Sequence, residues 1–115
     1  MEDNEMRLAV TYNNGAINTR FGQTKAFKLF DIEEGAIQGQ SIREFKADTL
    51  DEKAMILKGT GADKLICGNI CMHCQKLVRE AGIEIIGCVY GDADAAVDAY
   101  LAGTLLYETD PEILK

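Results

Sequence analysis

The chain has 115 residues, of which 47% are hydrophobic and 27% charged, the size and make-up of one globular domain. Its formal net charge of −7 argues against nucleic acid as a partner, because a phosphate backbone calls for a basic footprint. No apolar run approaches the roughly 20 residues that cross a bilayer as a helix, and the opening Met-Glu-Asp-Asn-Glu is acidic where a secretory leader is basic and then apolar. The expectation is a cytoplasmic protein away from membranes. In that reducing setting Cys67, Cys71, Cys74 and Cys88 read first as thiols or metal ligands, not disulfides.

Residues 6–12 alternate, with Met6, Leu8, Val10 and Tyr12 on one face, which predicts a strand. Asn13-Asn14-Gly15 supplies turn chemistry. Residues 26–32 are apolar on both faces and predict a strand inside a sheet. Glu33-Glu34-Gly35 predicts a hairpin turn into a third strand over 36–45, whose Gln38, Gln40, Arg43 and Glu44 suit a sheet edge.

The period then changes. Thr49-Leu50-Asp51-Glu52 has the form of a capping box, and Leu50, Ala54 and Leu57 follow at helical spacing up to Gly59 or Gly61. A short strand over 64–67, a helix over 70–81 stopped by Gly82, a strand over 84–89 and a helix over 92–102 closed by Gly103 complete the series. The order β-β-β-α-β-α-β-α predicts one α/β domain over 1–115, with a core at about 6–106 and a loose acidic tail over 107–115. Its three layers are a mixed five-stranded sheet, antiparallel first and parallel later, with helices on its faces.

Several segments together resemble the nitrogenase iron-molybdenum-cofactor biosynthesis accessory family. They are Arg7-Leu8-Ala9-Val10, Thr19-Arg20-Phe21-Gly22, Ala62 through Ile70, Leu77 through Ile83, and the stretch from Asp92 to Leu105. The resemblance covers about residues 6–106. It implies a ribonuclease H-like motif and a non-catalytic carrier or scaffold that holds an iron–sulfur or molybdenum-containing cluster, exchanged with cofactor-assembly or acceptor proteins. It also implies that the glycine-containing segment at Gly68 and Asn69 meets the cofactor. Two positions depart from the family pattern: Arg20 stands where histidine is common, and Cys71 where glycine or another small residue is common, with Cys74 added.

The predicted topology places Cys67 at the carboxyl end of one parallel strand and Cys88 near the end of the next. Cys71 and Cys74 fall in the first turn of the helix between them, sharing a face three residues apart. That edge of an open α/β sheet is where ligands bind. All four thiols are therefore candidate metal ligands, with zinc or a thiol-redox pair as the alternative use of the same cysteines. His73 points about 160° from Cys71 on a helix and is expected to face solvent. Arg20 and Gly22, after the first strand, are candidates to meet an anionic cofactor by charge and backbone N–H donation.

Other chemistries are excluded. Cys67-x3-Cys71-x2-Cys74 has the spacing of radical SAM enzymes, but fewer than 50 residues follow Cys67, too few for their partial barrel. The first strand carries Leu8, Val10 and Thr11 and no carboxylate for a two-metal nuclease. His73 is the single histidine, so no Ser-His-Asp set is available. The expectation is a monomer or weak homodimer without catalytic residues.

Overall fold

A computed structural model describes residues 5–108. The chain starts as strand β1 (Glu5–Asn13), turns at Asn14-Gly15 into the two-residue β2 (Ala16–Ile17), and passes through a single 3-10 turn at Phe21–Gln23. A hairpin, β3 (Ala26–Glu33) and β4 (Ala36–Glu44), leads into α1 (Leu50–Gly59). Then follow β5 (Lys64–Ile66), α2 (Met72–Glu80), β6 (Glu84–Ile86) and α3 (Ala93–Ala102).

The main sheet runs β4-β3-β1-β5-β6. β3 lies antiparallel between β4 and β1, whereas β5 and β6 extend the other side of β1 in parallel. The doubly apolar strand is thus interior and the polar strand β4 is the edge, as the residue pattern predicts. The sheet differs from the five-stranded expectation by its sixth strand, β2, paired to the end of β1 through Tyr12↔Ile17 and Asn13↔Ala16. Asn14 and Gly15 both take positive φ, 50° and 90°, as a two-residue hairpin turn of the primed kind requires. Glu34 and Gly35 do the same in the β3–β4 hairpin.

Alternation along the strands sorts the core into two layers. Ala9, Phe27, Leu29, Leu65 and Ile85 pack with Leu57 of α1 and Val78 of α2. Leu8, Val10, Phe30, Ile32, Ile66 and Ile86 pack with Ala93, Ala96 and Val97 of α3. Each fully buried side chain of this size contributes about 1.5–3 kcal/mol of transfer free energy. The result is the expected three-layer α/β domain.

Polar contacts fix where the helices sit. Thr49 caps α1 reciprocally, its hydroxyl accepting the Glu52 N–H while the Glu52 carboxylate accepts the Thr49 N–H. Lys28 of β3 donates to the Asp94 carboxylate at 2.7 Å, holding α3 over the sheet. At the amino edge of the parallel strands Arg7 donates to Asp31 at 2.7 Å and to the Thr60 carbonyl at 2.7 Å. These contacts leave the opposite, carboxyl edge to loops. Within the expected tail, Glu108 pairs with Gly87 through two backbone hydrogen bonds of 2.7 and 3.0 Å. Residues 109–115 of that tail lie outside the described residues. No helix among the described residues is long and apolar enough to cross a membrane.

Candidate functional site

Three loops meet at the carboxyl edge of the parallel strands: residues 18–23 after β2, 67–71 after β5 and 87–91 after β6. Backbone hydrogen bonds join them. The Asn69 N–H donates to the Thr19 carbonyl at 2.8 Å, and the Phe21 N–H donates to the Asn69 carbonyl at 2.9 Å. The Cys88 N–H donates to the Gly68 carbonyl and the Val89 N–H to the Cys67 carbonyl, both at 3.0 Å. The Tyr90 hydroxyl closes the set by donating to Asn69 Oδ1 at 2.7 Å. Gly68 is where they are tightest: a Cβ there would stand 2.6 Å from the Thr19 carbonyl oxygen and 2.8 Å from the Tyr90 ring.

Arg20 and Gly22, singled out for an anionic ligand, lie on the first of these loops. Arg20 is exposed, and its backbone N–H donates to the Asn18 side chain. The Gly22 carbonyl accepts the Lys53 ammonium at 2.7 Å. Lys53 is only 7% exposed, and burial lowers its proton affinity, partly offset by the nearby Cys74. Sequence reasoning missed this cation. The signal was present, because position 53 falls on the same helical face as Leu50 and Leu57, where an apolar residue is the rule. Tyr90, also missed, follows a short strand with nothing in its spacing to mark it.

The four cysteines lie on segments at this same edge, Cys67 and Cys88 in the loops after β5 and β6, and Cys71 and Cys74 at the start of α2. Cys71 is the N-cap of α2, not a first-turn residue, and it is exposed. Its extended φ and ψ of −70° and 160° end the loop there, and its sulfur accepts the Cys74 N–H at 3.4 Å, as a capping side chain does. Cys74 and Cys67 are fully buried in the layer between the sheet and α1/α2. Burial pushes the Cys67 thiol up to about 12, reinforced by Cys88 and Cys74, and pushes Cys74 up to about 12, reinforced by Cys71 and opposed by Lys53.

Cys88 departs from the predicted strand position. β6 ends at Ile86 because Gly87 turns to pair with Glu108, and Cys88 sits in the loop with φ of +63°, a left-handed conformation that is rare for a side-chain-bearing residue. Its thiol is also pushed up, by burial first and then by the Glu108 carboxylate. Each sulfur thus feels the next: Cys71 with Cys74, Cys74 with Cys67, and Cys67 with Cys88. Among the described residues no three His, Cys, Asp or Glu side chains are gathered closely enough to hold a metal ion. His73 is exposed, as expected, and its Nε2 lies 2.7 Å from Asp51 of α1.

An uncharacterized protein of Methanocaldococcus jannaschii, MJ0580, is 23% identical over 105 residues, covering 87% of this chain and 89% of its own length. The fold matches the crystal structure of PH0822 with a TM-score of 0.85 at 21% identity, over 93% of this chain and 98% of that one. It also matches the apo form of the orange protein from Desulfovibrio gigas with a TM-score of 0.75 at 20% identity, over 90% and 92% of the two chains. The family described as dinitrogenase iron-molybdenum cofactor matches residues 4–103, nearly the whole domain, and this chain belongs to that family.

Proposed function

We propose that the protein is a non-catalytic carrier that takes an iron–sulfur or molybdenum-containing cluster as cargo and hands it to an acceptor protein. The observation that carries this reading is the placement of Cys67, Cys71, Cys74 and Cys88 on segments at one sheet edge in a chain of a family named for the iron-molybdenum cofactor. The four sulfurs are its ligands. Arg20, Gly22, Gly68 and Asn69 form the loop wall beside it, where Arg20 brings positive charge to an anionic cluster.

The set is not preassembled. Cys71 is the most exposed of the four and Cys88 is half-buried, so loading begins at Cys71 and draws in Cys74 from the same helical turn. The helix N-terminus favours the negative charge that thiolates bring. Cys74 and Cys67 hold their protons firmly, so binding must release them, which makes loading pH-dependent and reversible. The left-handed Cys88 stores backbone strain of about 1–3 kcal/mol, the kind of cost that clusters at functional sites.

Anaerobic reconstitution with ferrous iron and sulfide, followed by desalting, tests the reading. Retained iron and sulfide, with loss of both in the Cys71→Ser/Cys74→Ser double variant, are expected. Colourless protein that retains only zinc would assign the same sulfurs to a zinc site. Protein that retains no metal at all would overturn the carrier.

A further inference from the structure

Cys71-Met72-His73-Cys74 has a second property that cargo binding does not use. Cys71 is exposed at the N-cap of a nine-residue helix, and Cys74 is buried one turn further in. The Cys71 sulfur accepts the Cys74 N–H at 3.4 Å, so it lies over the first turn of α2, on the side of its partner. One sulfur is reachable from solvent and the other is shielded from it.

We propose that Cys71 and Cys74 are a dithiol pair for thiol–disulfide exchange with small disulfides, Cys71 being the entering sulfur and Cys74 the resolving one. The Cys71 thiolate attacks one sulfur of a disulfide R–S–S–R, forming a mixed disulfide and releasing one thiolate, which takes up a proton. Cys74 then gives up its proton, and its sulfur attacks the Cys71 sulfur and expels the second R–SH. The protein loses two electrons and two protons to the disulfide, and both halves leave as thiols.

The geometry allows closure. Side chains three apart at a helix start have Cβ atoms about 5–6 Å apart, and a disulfide needs about 3.5–4.5 Å. The missing ångström or two falls on Cys71, which is exposed and outside the helical hydrogen bonds except through its carbonyl, bonded to the Gln75 N–H at 2.9 Å. Cys67 has no exposure and Cys88 is half-buried in the loop after β6, so Cys71 is the most open of the four sulfurs. The exchange is a property of the metal-free protein and does not rest on the carrier reading. If both hold, oxidation removes two of the four cargo ligands and couples release to the thiol pool.

The test uses chelator-treated, full-length protein equilibrated in mixtures of reduced and oxidised glutathione, quenched with acid and mapped by mass spectrometry after proteolysis. A reversible Cys71–Cys74 link is expected in the unaltered protein. Cys74→Ser should stop at one glutathione on Cys71, and Cys71→Ser should react at least about tenfold more slowly. A link through Cys67 or Cys88, or four free thiols across the whole range, would overturn the proposal. The peptide map of the unaltered protein decides the matter even if a variant fails to fold. Metal-loading results cannot mimic either outcome, because no metal is present.

Discussion

The Tyr90 hydroxyl donates to Asn69 Oδ1 at 2.7 Å, and the ring that carries it leaves no room for a side chain at Gly68. The loop after β6 is thereby clamped on the loop after β5, with Thr19 on the other side. Gly68→Ala should destabilise the fold by about 1–3 kcal/mol, because the nearer obstacle is a backbone carbonyl at 2.6 Å that cannot swing aside. Denaturant unfolding checks this. An unchanged midpoint would mean that the loops are not packed as described.

Lys53→Met separates charge from packing. Methionine fills much of the lysine volume, so the cost in stability should stay below about 1.5 kcal/mol. The positive charge beside Cys74 and the tether on the Gly22 carbonyl are lost. Retention of reconstituted iron and sulfide should weaken roughly tenfold, about 1.4 kcal/mol. Equal retention in the two proteins would remove Lys53 from the site.

Alkaline pH should destabilise the metal-free protein. Cys67 and Cys74 lose their protons at about 9.0 when unfolded and at about 12 in the native state, so the native chain holds more protons between these values. Their contribution to stability is complete below about pH 9 and is lost as pH rises towards 12. Stability therefore falls with rising pH across this window. Unfolding titrations over that window check the sign, and Cys67→Ala should flatten the slope. A flat profile in the unaltered protein would contradict the burial of both thiols.

Cys71→Ser should leave the fold intact. A serine hydroxyl accepts the same N–H bond as the sulfur and is a preferred N-cap, so thermal stability should hold or rise by up to about 1 kcal/mol. A marked loss would mean that the Cys71 sulfur does more for the fold than cap α2.

Much of the scaffold was legible in the residues. The capping box at Thr49, the polar edge strand β4 and the interior strand β3 each carry a pattern whose period or chemistry admits few alternatives. β2 was not read because it is two residues long, though Asn14-Gly15 is a strong hairpin signal. The strand register at Cys88 could not be read either, because the end of β6 depends on Glu108, twenty residues further along the chain. The site was half legible. The predicted topology puts the four cysteines at one end of the sheet, but their burial depends on tertiary packing, which leaves Cys71 exposed, Cys88 half-buried, and Cys67 and Cys74 buried. Lys53 breaks the apolar pattern of its helical face, the one sequence signal that marks it.

The most direct test of the carrier is the iron, molybdenum and acid-labile sulfide content of protein purified without oxygen, together with its visible spectrum. Iron or molybdenum with sulfide and a visible absorbance are expected, all lost in the Cys71→Ser/Cys74→Ser double variant. Colourless protein free of iron, molybdenum and sulfide, and unable to acquire them on anaerobic reconstitution, would contradict it.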